Sequence, residues 1–246
     1  MRYLILSDIH ANLDALEAVL QAAAASYDRV VVLGDLVGYG PEPNEVIDRV
    51  RALDPVAIIR GNHDKVAAGI EDSEGFNAIA QRAASWTLGR LTPQNRDYLV
   101  SLPAGPLSLD PLAEICHGAP FDEDAYIFSE LDALRALRLS RRQVCLFGHT
   151  HFPVVFRLSD TGFDVLTERG ESELEVPLEK GVKYLINPGA VGQPRDGDPR
   201  AAYGLLDEER RRMKLFRAQY PLEAAQAKVI RAGLPPALAE RLAAGR

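Results

Sequence analysis

Three observations predict an α/β fold for these 246 residues. Short, wholly apolar runs alternate with helical segments through the first part of the chain. Strand-like runs separated by turns dominate after Phe152. Residues able to bind metal recur directly behind the apolar runs. Tyr3–Leu6, Val30–Leu33, Ala57–Ile59 and Val144–Phe147 are each the length of a strand and apolar throughout. Between the first two, Leu13, Leu16, Val19 and Leu20 repeat at helical spacing, with Asn12 placed to cap the helix. A second helix follows Pro43 and carries Val46, Ile47 and Val50. Apolar strands spaced by helices imply parallel strands covered on both faces.

Residues 65–102 read as a mostly helical insert, in which Thr92 caps a helix opened by Pro93. Beyond Phe152, the runs Val154–Leu158, Phe163–Thr167, Glu173–Val176, Tyr184–Ile186 and Tyr203–Leu206 read as an antiparallel β half. Two helices over about 221–244, broken at Gly233-Leu234-Pro235-Pro236, close the chain. They are expected to pack on the body or on another subunit, which leaves a homo-oligomer open. No Ser/Gly linker, charge block or repeat marks a boundary, so residues 1–246 are read as one domain.

The chain is 47% hydrophobic, with a net charge of -7 and a pI near 5.3. A surface that grips long nucleic acid is usually basic, so that partner is not expected. A small phosphorylated substrate stays open, because bound divalent metals would invert the local field. Met1 runs straight into the first strand, and no apolar run approaches the roughly 20 residues of a membrane span. With no cleavable leader pattern either, the expected address is cytoplasmic. Cys116 and Cys145 lie in apolar strand-like runs and read as buried free thiols without a redox role.

All five histidines fall inside short motifs: Asp8-Ile9-His10, Gly61-Asn62-His63-Asp64, His117-Gly118 and Gly148-His149-Thr150-His151. Gly34-Asp35 adds a fifth motif. Each follows an apolar run, and ligands of open α/β sheets gather at the carboxyl ends of strands. The five motifs are therefore expected to converge. Asp8 and His10, two apart, would point to one side of an extended backbone, as would His149 and His151. Asn62 offers a neutral carbonyl oxygen where charges crowd. Singly, each pattern is ordinary: D-x-H arises by chance, Gly-Asp makes turns, and a histidine after a strand is commonly satisfied by structure. Asp64 is expected to serve chiefly as a helix N-cap. The set, in this order and all at strand ends, points to a metal site.

The same set resembles the calcineurin-like metallophosphoesterases over nearly the whole chain. Gly34-Asp35-Leu36-Val37-Gly38-Tyr39-Gly40-Pro41 and Asn187-Pro188-Gly189-Ala190-Val191-Gly192-Gln193-Pro194-Arg195-Asp196 resemble a bacterial branch of small phosphodiesterases and phosphatases. The resemblance implies a β-sandwich of two mixed sheets flanked by helices. It also implies that Asp8, His10, Asp35 and His151 bind one metal, that Asp35, Asn62, His117 and His149 bind a second, and that Asp35 bridges them. The mixed oxygen and nitrogen set suits Mn, Fe, Zn, Ni or Co better than Ca. Two departures narrow the subfamily. Protein Ser/Thr phosphatases carry Asp-Arg where this chain has Gly38 and Tyr39, which counts against that activity. Many relatives have Ser at the position of Ala190, with little effect expected on the fold.

The activity implied is hydrolysis of a small phosphodiester or phosphomonoester, by a hydroxide bridging the two metals that attacks phosphorus in line with the leaving oxygen. Asn62 would help hold the phosphoryl oxygens. His63, not needed as a ligand, is the candidate general acid or donor to phosphate, against a reading as a supporting hydrogen-bond partner. Arg195 is a candidate phosphate contact, against a loop salt bridge with Asp196 or Asp198. Arg60 is read as structural. Phe76 and Trp86 are read as core, against forming a wall over the cleft. Two alternatives stand beside this function: a dinucleoside polyphosphate hydrolase, and a non-catalytic protein-binding scaffold, which would have lost ligands or the catalytic histidine.

Overall fold

The structure, a computed structural model, describes residues 1–167 and 173–246. The chain opens with β1 (Arg2–Leu6), α1 (Leu13–Ala22), β2 (Arg29–Val32), α2 (Pro43–Ala52) and β3 (Ala57–Ile58). The insert follows as α3 (Asn62–Ala68), α4 (Ala78–Leu88) and α5 (Pro93–Ser101). Next come β4 (Leu107–Ser108), β5 (Ala113–Ile115), α6 (Glu130–Leu139) and β6 (Val144–Leu146). Then run β7 (Val154–Ser159), β8 (Gly162–Leu166), β9 (Glu173–Pro177), β10 (Lys183–Asn187), β11 (Ala201–Asp207) and β12 (Arg212–Ala218). Helices α7 (Leu222–Arg231) and α8 (Pro236–Ala244) end the chain.

The strands form two six-stranded sheets, ordered β3-β2-β1-β11-β12-β9 and β4-β5-β6-β10-β7-β8. Both are mixed. In the first, β1, β2 and β3 run parallel while β11 joins β1 antiparallel. In the second, β5, β6 and β10 run parallel, and β7 returns antiparallel on β10. The strands after Phe152 therefore do not make a separate antiparallel half. They are dealt between the two sheets, and β10 is parallel to β6. Each sheet needs outer strands to complete it, which local periodicity does not assign.

Alternation along each strand builds the layers. Tyr3 and Ile5 of β1, Val31 and Leu33 at β2, Val144 and Leu146 of β6, and Tyr184 and Ile186 of β10 meet in one apolar cluster between the sheets. Their alternates Leu4, Leu6, Val30 and Val32 face outward onto Leu16 and Val19 of α1 and Ile47 and Val50 of α2. Cys145, Phe147 and Leu185 face outward onto Ala133, Ala136 and Leu137 of α6. Burying one such aliphatic side chain stabilises by about 1.5–3 kcal/mol, so the apolar content of these short strands secures both sides of each sheet.

The capping residues act as the sequence predicts. Asn12 accepts from Ala15 N, and Thr92 accepts from Asn95 N ahead of Pro93. Asp64 differs. The helix begins at Asn62 because Gly61 is extended (φ -105°, ψ 177°), so Asp64 is its third residue. Its carboxylate reaches back to Gly61 N at 3.0 Å and also accepts from Val37 N at 3.1 Å. It thereby ties the Gly61 turn to the Asp35 loop. Cys116, just past β5, and Cys145 of β6 are free and buried, with sulfurs 3.6 Å apart. Among the described residues, no helix is long and apolar enough to cross a membrane.

Helices α7 and α8 pack on the body. Val229, Leu238 and Leu242 share an apolar cluster with Ala80 and Ala83 of α4 and with Tyr39, and Lys228 pairs with Asp14 and Glu42.

Candidate metal centre

Asp8 follows β1, Asp35 follows β2, Asn62 follows β3, His117 follows β5, and His149 and His151 follow β6. Within each sheet these strands run parallel to one another, so their carboxyl ends share an edge of the sandwich. All five motifs converge there, as the sequence predicts.

The local geometry is not the extended backbone assumed for D-x-H and H-x-H. Asp8, His10, Asp35, His149 and His151 all have left-handed backbone, with φ of 53°, 49°, 53°, 65° and 62°. The chain has left the sheet by Asp8, whose N–H donates to Gly34 O, and His10 N–H donates to Asp35 O. The strands deliver the residues to the edge, and tight turns then aim them inward. Left-handed non-glycine residues cost energy and gather at functional sites; the side-chain contacts described next hold them in place.

Four side chains, Asp8, His10, Asp35 and His151, form one fully buried donor group, and Asp35, His117 and His149 form another. Asp35 belongs to both. Its Oδ2 stands 3.5 Å from His10 Nε2 and 3.5 Å from His117 Nε2. Its Oδ1 accepts from His63 N–H at 2.9 Å. Asp8 Oδ1 lies 3.3 Å from His151 Nε2, and Asn62 Oδ1 lies 3.3 Å from His117 Nε2.

Each of these four histidines has one ring nitrogen on a backbone carbonyl. The Nδ1 atoms of His10, His117 and His151 donate to Val37 O (3.0 Å), Leu33 O (2.8 Å) and Gln193 O (2.6 Å). In His149 it is Nε2 that donates, to Asp124 O at 3.0 Å. A carbonyl only accepts, so these contacts fix the proton and leave the opposite nitrogen bare in a neutral ring, the arrangement usual for ligating histidines. The bare Nε2 atoms of His10 and His151 stand 3.1 Å apart. Two lone pairs so placed repel, and a cation among these groups would remove the repulsion. The donor set therefore fits divalent metal.

Burial and mutual contact set how these groups titrate. Burial raises Asp8 to about 6. Burial also opposes charge on Asp35, but His117 and the other nearby rings outweigh it and hold the carboxyl well below its usual range. Burial disfavours an imidazolium at His117, yet Asp35 and Asp8 pull its pKa up to about 10. Burial depresses His10 and His151 well below the usual histidine value, His149 to about 3 and His63 to about 4.

His63 belongs to neither donor group. Its ring lies 4.4 Å from Tyr39, 4.5 Å from Phe76 and 4.9 Å, edge-on, from His10. Among the described residues, its buried Nδ1 has no hydrogen-bond partner. Gly38 backs it so closely that a Cβ there would come within 2.6 Å of Nδ1. Gly38 thus abuts the ring as bare backbone, while Tyr39 meets it with its own ring.

Arg195 donates to Tyr39 Oη and Gln193 Oε1, both at 3.3 Å, and lies over the Tyr39 ring. The loop salt bridge weighed for it is not what is seen. Asp196 pairs with Arg217 and Asp198 with Arg200. Arg60 is structural as expected, making a two-point contact with Glu123. Trp86 packs beneath the C-terminal helices and donates to Ala232 O at 3.0 Å. Phe76 is not simply core: it touches His63 and lines the cleft beside Asn62 and His149.

Tyr126, stacked on His149 at 3.8 Å, drew no notice in the sequence. Its segment reads as an acidic loop, and the only signal was the alternation of Tyr126 with Phe128. Nor did sequence reasoning foresee Asn187, which is buried and donates to Gly148 O and Thr150 Oγ1. It holds the turn that presents His149 and His151.

A family model for the calcineurin-like phosphoesterase superfamily domain matches residues 1–211. A solved metallophosphoesterase structure from Sphaerobacter thermophilus is 38% identical, covers 100% of this chain and 99% of its own, and superposes with a TM-score of 0.88. An uncharacterised protein of Methanocaldococcus jannaschii is 34% identical over 248 residues, 98% of this chain and 97% of its own. The phosphodiesterase YfcE of Escherichia coli is 27% identical over 219 residues, 85% of this chain and 89% of its own. Likeness on this scale, joined to a buried site rich in metal-type donors, settles the lineage: the chain belongs to the calcineurin-like phosphoesterase superfamily and is a metal-dependent phosphoesterase.

Proposed function

We propose that this chain hydrolyses small phosphoesters with a pair of divalent transition-metal ions. One observation carries the reading: a single buried oxygen, Asp35 Oδ2, stands at equal distance from His10 and His117, the corner common to two donor groups. Asp8, His10, Asp35 and His151 would hold one ion, and Asp35, Asn62, His117 and His149 the other. When bound, such ions polarise phosphoryl oxygens and lower the pKa of a water.

The protein's own groups then divide the remaining work. Asn62 offers its side-chain amide to a phosphoryl oxygen. His63, anchored through its backbone on Asp35 and clamped by Tyr39 and Phe76, is the group free to pass an N–H to the phosphoryl or leaving-group oxygen. Arg195, oriented by Tyr39 and Gln193, would grip a phosphate oxygen. Residues 1–246 work as one domain on this reading, because Tyr39 joins the cleft to the apolar cluster of α4, α7 and α8.

The test is a screen of metal-stripped protein reloaded with Mn, Fe, Zn, Ni or Co. Substrates are bis-p-nitrophenyl phosphate, p-nitrophenyl phosphate, cyclic nucleotides and dinucleoside polyphosphates. Turnover is expected with at least one metal, near two ions per chain, and Asp35→Asn should lose both. An absence of turnover with every metal would overturn the proposal.

A further inference from the structure

The C-terminal helices reach the metal centre from behind. Tyr39 has left-handed backbone, φ 48°, which costs energy at a bulky residue and persists only where the surroundings impose it. Val229 of α7 and Leu238 and Leu242 of α8 supply those surroundings, in one apolar cluster with Tyr39. The same three side chains line a small gap with His10 and Gln193. The Tyr39 ring meets His10 at 4.7 Å and His63 at 4.4 Å, and its Oη accepts from Arg195 at 3.3 Å. A second contact reaches the loop of Arg195 directly. Gly245, the left-handed residue that caps α8, accepts through its carbonyl from Gly197 N–H at 2.9 Å. The approach is close, since a Cβ on Gly245 would come within 2.6 Å of Asp198 N. Gln193 ties the same loop to the metal centre: its carbonyl accepts from His151 Nδ1 and its Oε1 from Arg195.

Arg195 is therefore braced at both ends, its guanidinium by Tyr39 and its loop by the end of α8. A long side chain gives up rotamer freedom when it grips an anion, and one held beforehand has less to give up. We infer that α7 and α8 are a positioning element of the active site, setting Arg195 for the substrate's phosphoryl group through Tyr39 and through the Gly197 turn. Tyr39 and Gly245 are then positioning residues that act through Arg195. This rests on the phosphoesterase reading above, which gives Arg195 its phosphate.

Two measurements on the whole chain, loaded with manganese, test it. Calorimetry gives the affinity for inorganic phosphate, and steady-state hydrolysis of bis-p-nitrophenyl phosphate gives KM and kcat. Tyr39→Phe removes the acceptor of Arg195 and keeps the ring against His63. It should weaken phosphate binding and raise KM by about threefold to tenfold, the worth of one hydrogen bond. Its kcat should stay within about twofold and its metal content unchanged, the mark of binding lost equally from ground and transition states. Gly245 is last but one in the chain, so its replacement leaves the fold intact. Gly245→Ala should shift phosphate affinity and KM in the same direction by about twofold to fivefold. Arg195→Ala should weaken phosphate binding at least as much as either, and in its background both changes should move it by less than about twofold. Effects that persist at full size without Arg195 overturn the inference. So does unchanged phosphate affinity in either single variant. A Tyr39→Phe protein that loses metal, or loses kcat in step with affinity, also overturns it, because Tyr39 would then support the ligands or His63. Failure of the phosphoesterase reading would show separately, as absent hydrolysis of every phosphoester by the wild type with every metal.

Discussion

Replacing His63 by alanine should separate catalysis from metal binding, because the proposed function gives the two roles to different groups. The backbone N–H of residue 63 donates to Asp35 at 2.9 Å, and alanine keeps that bond. The imidazole Nδ1 has no partner, so its removal strands no polar group. What is lost is ring contact with Tyr39, Phe76 and His10, worth about 0.5–1.5 kcal/mol per aromatic pair at most. The better helix propensity of alanine returns up to about 0.7 kcal/mol within α3. A net stability loss of about 1–4 kcal/mol follows, inside the roughly 5–15 kcal/mol of an ordinary domain, so the variant stays folded. The rate should fall steeply as well. Loss of a positioned proton donor costs about 10²–10⁴-fold, or about 2.7–5.5 kcal/mol of barrier. Elemental analysis should find the wild-type metal content. A urea melt should show that destabilisation, and steady-state hydrolysis of bis-p-nitrophenyl phosphate the large loss in kcat. If metal departs in proportion to activity, His63 is a ligand. If kcat stays within about threefold, it is a bystander.

Gly61→Ala should weaken metal binding by crowding alone. Backbone at φ -105° admits alanine, but its Cβ would lie 2.1 Å from Asp35 Oδ1 and 2.5 Å from Asp35 N. The expected cost is about 1–3 kcal/mol of stability by urea melt and a weaker manganese titration; unchanged affinity would contradict the packing described. Manganese at a hundredfold excess over its dissociation constant should stabilise the wild type by about 2.7 kcal/mol. Scanning calorimetry should show no such gain in Asp35→Asn. Burial works against charge on Glu123, but Arg60 and Lys65 outweigh it and hold its pKa below the usual value. A depressed carboxyl contributes stability above the unfolded value of about 4.3 and loses it as pH falls through the folded one. The gap in melting temperature between wild type and Glu123→Gln should therefore be full at neutral pH and close in acid; a gap that persists at low pH would show that charge on Glu123 is not its origin.

Much of this site was legible because chemistry and topology share one signal. An apolar run followed by Asp, Asn or His marks both a buried strand and the residue delivered at its carboxyl end. Asp8, Asp35, His117 and His149 could all be placed that way. The turns behind those strands were not legible. Whether Asp8 and His10 meet through an extended or a left-handed backbone depends on hydrogen bonds to the Asp35 loop, which lies far along the chain. The anchors of the histidines were hidden for a similar reason. They are carbonyls of Leu33, Val37, Asp124 and Gln193, and a carbonyl has no residue identity to read. The strands after Phe152 were misjudged because their division, β9, β11 and β12 to the first sheet and β7, β8 and β10 to the second, is decided by tertiary packing rather than by periodicity.

The donors are drawn from both leaves of the sandwich. Asp8, Asp35 and Asn62 hang from the first sheet, whereas His117, His149 and His151 hang from the second. On the proposed function, a bound ion pair would be a clasp across the seam as well as a reagent. Any sliding of one leaf over the other would be felt at Asp35 before it was felt in the apolar filling. Warming should therefore release the ions, and silence the molecule, while both sheets are still intact.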